Sequence, residues 1–161
     1  MKTSFTYQPI GVIHSEHTVP EKTPIQPIYA QKCAGTVEVF PEYAEGLKDL
    51  ETFSHIYLLY HLDRANEVRL KTRPFLKDTE HGIFATRAPW RPNPIGMSIV
   101  RLIRREENVL HIEGVDVLDE TPLLDIKPYT TRFDCIQTDR NGWHDDVSEA
   151  DAQQRGKRDF K

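Results

Sequence analysis

The chain is poor in glycine, and its glycines are never close together. Of eight in 161 residues, no two stand a single position apart, so the G-x-G-x-x-G turn that cradles a pyrophosphate is missing. That disfavours both a dinucleotide Rossmann site and the usual glycine-rich methyl-donor site. The P-loop pattern is absent too. Cysteine is scarcer still: Cys33 and Cys135 stand alone with no Cys-x-x-Cys, the pattern of two reduced cytosolic thiols rather than a metal ribbon or redox pair. No His-Glu-x-x-His occurs. His14 and His17 would meet only on a helix that nearby Pro20 opposes, and His55 and His61 would lie about 20 Å apart along a strand, so no metal is expected. Ser54 and Ser98 lack the glycine-flanked turn of a serine hydrolase. The longest apolar run, residues 56–60, is too short to span a bilayer, and the N-terminus has no continuous apolar core of a secretory signal. A cytoplasmic chain is expected. A net charge of −4 argues against a surface coated with positive charge for indiscriminate nucleic-acid binding, though a local basic patch is compatible with it.

Short strand-like segments dominate what is present. Residues 10–13, 36–40, 54–61, 83–86, 98–105, 109–118 and 123–126 read as strands, with residues 106–108 making a hairpin turn. Tyr43, Leu47 and Leu50 recur at helical spacing over residues 42–50, a helix weakened by Gly46 at about 1 kcal/mol relative to Ala. Many strands without alternating helices predict a mostly β, barrel-like domain with one or two short helices and no Rossmann core. The domain is assigned to residues 1–138, and the polar residues 139–161 read as a mobile tail.

The densest signal is residues 82–97, GIFATRAPWRPNPIGM. Pro89, Pro92 and Pro94 each fix φ and remove a backbone donor, and Ala88, Arg91 and Asn93 before them are pushed toward extended backbone. The segment is a stiff loop presenting Arg87, Arg91 and Asn93 with little freedom left to lose on binding. A guanidinium suits a carboxylate through a bidentate pair, which fits Arg87 to the amino-acid end of a ligand. Asp63 and Arg64 follow the apolar strand, at a pocket rim or as a surface pair. Glu113, Gly114, Val115 and Asp116 offer close backbone approach or a structural bulge, and Met97 an apolar wall. Asp125, Lys127 and Tyr129 form either an ion pair on one strand face or a phosphate contact beside a stacking ring. Asp116, Asp119 and Glu120 are three carboxylates able to accept a proton.

The stretches ATRAPWRPNPIGMS and EGVDVLDETPLLDIKPY, with PIGVIHS, TPIQP and GLKDLETFSHIYLLY, resemble the TsaA-like (VirR/YaeB, TrmO-type) family of S-adenosylmethionine-dependent tRNA methyltransferases, over residues 7–133 with gaps. The resemblance implies a β-barrel without a Rossmann core and N6-methylation of a threonylcarbamoyl adenosine beside the tRNA anticodon. By it, S-adenosylmethionine is held by Pro24, Gln26, Asp63, Arg64, Arg87, Met97, Glu113, Gly114, Val115 and Asp116. Arg91, Asn93, Lys127 and Tyr129 face tRNA, and the protein is a homodimer. Ile25 departs from the family, which places an Arg there, and longer members carry an extra C-terminal domain. A donor-sensing module without catalysis, or methyl transfer to a different acceptor, are the rival readings.

Overall fold

A computed structural model describes residues 3–158. Eight strands are present: β1 (Gly11–Ser15), β2 (Ala34–Val39), β3 (His55–His61), β4 (Lys71–Thr72), β5 (His81–Gly82), β6 (Ile95–Glu106), β7 (Val109–Glu113) and β8 (Thr121–Pro128). Six of them close a barrel in the order β1-β2-β7-β6-β3-β8, every pair antiparallel, while β4 and β5 form a small separate ladder. The mostly β, barrel-like expectation is thus met, with α1 (Thr131–Asp134) and α2 (Glu149–Lys157) as the α-helices.

Alternation explains why these segments curl into a closed sheet. Along β3, Ile56, Leu58 and Tyr60 point inward while His55, Tyr57 and His61 face out; along β6, Ser98, Val100 and Leu102 point in. Ile13, Val37, Leu110, Ile112 and Leu123 complete an interior with almost no solvent contact. Full burial of each such side chain is worth about 1.5–3 kcal/mol, so the core rather than any surface pair holds the fold. The seam that closes the barrel pairs Gly11 with Leu123 and Ile13 with Thr121. The predicted hairpin is a two-residue turn, with Glu106 opposite Val109 and Glu107 at φ 54°.

Four local expectations are corrected. The segment expected as an α-helix over residues 42–50 is instead a 3₁₀ helix, Pro41–Leu47, followed by a left-handed Asp49 (φ 67°) and a second 3₁₀ turn, Leu50–Thr52. Residues 83–86 form a 3₁₀ turn, Ile83–Ala85, closed when the Thr86 hydroxyl and amide both donate to the Ile83 carbonyl. The strand expected over residues 109–118 stops at Glu113, because Gly114 turns to φ 89° and the Gly114 and Val115 amides both donate to the Cys33 carbonyl. Polar composition suggested a mobile tail from residue 139, but this stretch is folded as far as Arg158. It holds a 3₁₀ helix, Gly142–Asp146, and α2, whose Ser148 hydroxyl caps Asp151 N–H. The Trp143 indole donates to the Ala85 carbonyl at 2.8 Å, the Gly156 carbonyl accepts from Ile25 N–H at 3.0 Å, and Gly156 sits buried against the Tyr29 ring. Composition reports exposure; these few specific contacts decide the docking.

Candidate functional site

The proline loop leads from β5 into β6, tied at its start by Ile83 N–H donating to the Leu70 carbonyl at 2.9 Å. Leu62 N–H donates to the Pro94 carbonyl at 2.7 Å and Arg69 N–H to the Trp90 carbonyl at 3.0 Å, with the Arg69 guanidinium 4.4 Å above the Trp90 ring. Arg91 is turned into its own loop: Nη1 donates to the carbonyls of Ile83 (3.0 Å) and Thr86 (2.7 Å). This differs from the phosphate-facing role expected of Arg91, and the reason is that the 3₁₀ turn leaves both carbonyls pointing at it. Asn93 stays exposed, its carbonyl accepting from Ile95 N–H.

Arg87 is exposed, and its Nη1 donates to the Gln26 side-chain oxygen at 2.5 Å. Gln26 lies between Pro24, which is fully buried, and Pro27, which passes over Gly114. The PIQP segment, the proline loop and the stretch after β7 therefore meet, bringing Pro24, Gln26, Arg87, Gly114 and Asp116 into one neighbourhood. Ile25 supplies its amide to α2 there.

Beneath Arg87 runs a chain of polar side chains. The Ser98 hydroxyl donates to Asp116 Oδ1 at 2.6 Å, and since that uses its only proton, the Tyr60 hydroxyl 2.8 Å away is the donor to Ser98. Burial drives the Asp116 carboxyl up from its ordinary value of 3.8 to about 7, against the opposing pull of the Ser98 bond, its own amide and the Arg87 charge. Burial likewise holds the Tyr60 phenol well above 10, and burial with the Glu16 and Asp116 charges lifts the Cys33 thiol to about 11. His144 lies near enough to Arg87 for burial and that charge to lower its pKa, and its ring stacks on Trp143 (3.8 Å), which stacks on His81 (5.1 Å).

The other predicted residues separate into distinct places. Asp63 and Arg64 follow β3, and Arg64 Nη2 donates to the Asp119 carbonyl at 2.6 Å, so Arg64 bears on the same β7–β8 connection that carries Asp116. Burial raises the Asp119 carboxyl, but bonds from Ser15 N–H, His14 and the Glu120 amide outweigh it and hold the group below its usual range. Val115 is core, and Glu113 pairs with Ala34 and Arg101. Met97 is on the outer face of β6, opposite to inward Ser98, and aligns with exposed Ile95 and Ile99. Lys127 and Tyr129 lie at the end of β8 and just after it: Lys127 Nζ pairs with Asp125 at 2.9 Å, and the Tyr129 ring packs 5.7 Å from Tyr57 and 6.3 Å from His55.

Sequence reasoning missed Tyr60, Ser98 and the His81–Trp143–His144 stack. Tyr60 and Ser98 each interrupt an inward apolar register with a hydroxyl, which is the signal that a strand-by-strand reading of alternation would have raised. Nothing local signals the stack, whose members come from elements about 60 residues apart.

Residues 12–135 match the family described as the tRNA-methyltransferase O N-terminal domain. A probable S-adenosyl-L-methionine-binding protein of Pyrococcus abyssi is 56% identical over 85% of this chain and 74% of its own length. A human tRNA (adenine(37)-N6)-methyltransferase is 32% identical over 81% of this chain but only 31% of its own. A crystal structure of TrmO superposes with a TM-score of 0.75 at 42% identity, covering 87% of this chain and 64% of that one. The chain thus spans less than two thirds of that solved structure and under a third of the human protein.

Proposed function

Because the chain belongs to the tRNA-methyltransferase O N-terminal domain family, we propose that it methylates N6 of an adenosine in tRNA with S-adenosylmethionine as donor, the acceptor being threonylcarbamoyl adenosine beside the anticodon. The observation that carries this reading is the meeting of Arg87 and Gln26 with Gly114 and Asp116 under the proline loop. These residues fit the donor. Arg87 offers an exposed guanidinium for its carboxylate, Gln26 and Pro24 form a wall, and Gly114 permits close backbone approach. When bound, the donor supplies an electrophilic methyl group on a sulfonium, and the protein's part is orientation and charge. Arg64 steadies the β7–β8 connection of this site through the Asp119 carbonyl, and Asp63 is its neighbour at the end of β3. Such a substrate implies work in the cytoplasm; no helix among the described residues is long and apolar enough to cross a membrane.

The assay is transfer of radiolabelled methyl from the donor to bulk tRNA. Label in tRNA N6-methyladenosine derivatives supports the proposal. Donor binding without transfer makes the domain a sensor, and label in another acceptor changes the substrate; either outcome defeats the proposal as stated.

Asn93, Lys127 and Tyr129 are assigned to the RNA, and Arg91 to bracing the loop. Lys127→Ala is expected to raise KM for tRNA several-fold and flatten its salt dependence by about one phosphate contact, because its ion pair with Asp125 is exposed and worth little to stability. Arg91→Ala is expected to cost about 1–3 kcal/mol of stability along with activity. Salt-dependent kinetics and melting of both variants check the division; a Lys127→Ala enzyme with unchanged tRNA kinetics removes Lys127 from the RNA face.

A homodimer belongs to the same reading. Ile95, Met97 and Ile99 occupy successive outward positions of β6 at 42%, 45% and 38% exposure, an apolar stripe next to Leu59 and Tyr57 of β3. Sedimentation is expected to give a dimer, and Met97→Glu a monomer; a monomeric parent protein sinks this part.

A further inference from the structure

We propose that the Asp116 carboxylate is the proton acceptor of the reaction, taking the hydrogen from the nitrogen that receives the methyl group. This rests on the methyl-transfer reading above. In the step, the nitrogen lone pair forms the new N–C bond, the pair of the broken S–C bond stays on sulfur, and the N–H proton moves to Asp116. No further reactant is needed.

Three carboxylates stand on the connection after β7, and their surroundings separate them. Asp119 is surrounded by donors, and those bonds suit the ionised form so well that it is a poor base. Glu120 is exposed at a turn with φ 62°. Asp116 keeps some solvent contact, and its Oδ1 is engaged by Ser98, which orients the carboxyl. The Tyr60–Ser98 bond fixes the serine rotor in turn.

The groups facing Asp116 also single it out. Tyr60 from β3 and Cys33 from before β2 both hold their protons far above neutrality, so neither exchanges one at pH 7. Glu16 acts on Cys33 from the connection after β1. Arg87 from the proline loop is a permanent cation, and it favours the ionised carboxylate while opposing a charge on His144. Asp116, with its carboxyl raised to about 7, is the facing group whose proton is gained and lost near neutrality, where a general base works best.

Three measurements on purified protein test this. Single-turnover methylation at saturating S-adenosylmethionine should fall on the acid side with an apparent pKa near 7, and Asp116→Asn should lose about 100-fold or more in that saturated rate, beyond any loss of donor affinity. Ser98→Ala, which removes a bond favouring the ionised form, should move the acid limb to higher pH, and His144→Gln should keep that limb. Stability gives a readout independent of turnover. A carboxyl raised in the folded state binds more protons there than in the unfolded chain between about pH 4 and 7, so wild-type stability falls as pH rises through that window. The melting temperature of Asp116→Asn relative to wild type should therefore climb from pH 4 to 7 and level off above. A rate within threefold of wild type in Asp116→Asn overturns the proposal. So does an acid limb abolished by His144→Gln. If Asp116→Asn does not fold, the Ser98→Ala limb decides alone, and an unmoved limb counts against the proposal. A wild-type protein that transfers no methyl to tRNA defeats the functional reading instead, which keeps the two failures distinct.

Discussion

Arg87→Ala is expected to weaken binding of S-adenosylmethionine about 10- to 150-fold, or about 1.5–3 kcal/mol, while the melting temperature barely moves. The size follows from losing a charged hydrogen bond to a carboxylate, a stronger contact than a neutral pair. The small effect on stability follows from position: the side chain is exposed and its bond is to a side-chain amide at the surface, so its loss leaves no buried partner unsatisfied. One charge effect should accompany it. Arg87 pulls the Asp116 carboxyl down against burial, so its removal should raise that carboxyl further and shift any acid limb of activity upward. Titration calorimetry on a variant with native circular dichroism checks the first part; undiminished donor affinity takes Arg87 out of the site. Arg87→Lys is expected to recover only part of the affinity, since an ammonium lacks the planar fork.

The second large effect is expected of Gly96→Ala, on stability. Gly96 stands opposite Tyr60 in the β3–β6 ladder, and a Cβ there would come within 2.1 Å of the Tyr60 ring. That ring is buried in the barrel and its hydroxyl bonded to Ser98, so it has no free direction in which to yield. Overpacking of this kind costs about 1–3 kcal/mol, and in a chain of this size that lowers the melting temperature by several degrees, on the order of 2–4 °C per kcal/mol. Displacing Tyr60 also loosens Ser98, so activity should fall beyond what unfolding explains. The variant Tyr60→Val provides the control. If the clash is with the ring, Gly96→Ala should cost far less on that background, and a double-mutant cycle on melting would reveal the coupling. Additive effects would mean that the glycine serves some other purpose.

The parts legible in the sequence were those with a repeating or covalent cause. The nearly continuous apolar run of residues 54–61 marked β3, although only one of its faces is buried, and the missing glycine pairs spoke against a Rossmann core. The three prolines marked the loop because their rings restrict φ whatever the surroundings are. The rest depends on specific contacts that overrule or escape residue preference. Ile83 and Phe84 look like strand residues, but Thr86 closes a 3₁₀ turn over them. Arg91 also donates through Nη1 to two carbonyls of its own loop, which residue type and spacing do not reveal. Trp143 and Gly156 in a polar stretch gave no periodic signal, since the segment is docked by single contacts such as the indole bond, the Ile25–Gly156 bond and the Tyr29 ring. Within the candidate site, charged residues were found by type and spacing, whereas Tyr60 and Ser98 stayed hidden as core positions until the barrel's inward register brought them under Asp116.

The seam between β1 and β8 governs the order of events on the ribosome. Because Ile13 and Thr121 are neighbours only in the closed barrel, the first strand must wait for nearly the whole chain before it finds its second partner. The β6–β7 hairpin has its mate two residues away and can form as soon as it emerges. Until residue 128 is clear of the exit tunnel, the free edges of β1 and β3 face the cell without cover, and open strand edges invite pairing with other chains. The arrangement that leaves the finished barrel with no edge thus concentrates its vulnerability into the interval of its own synthesis.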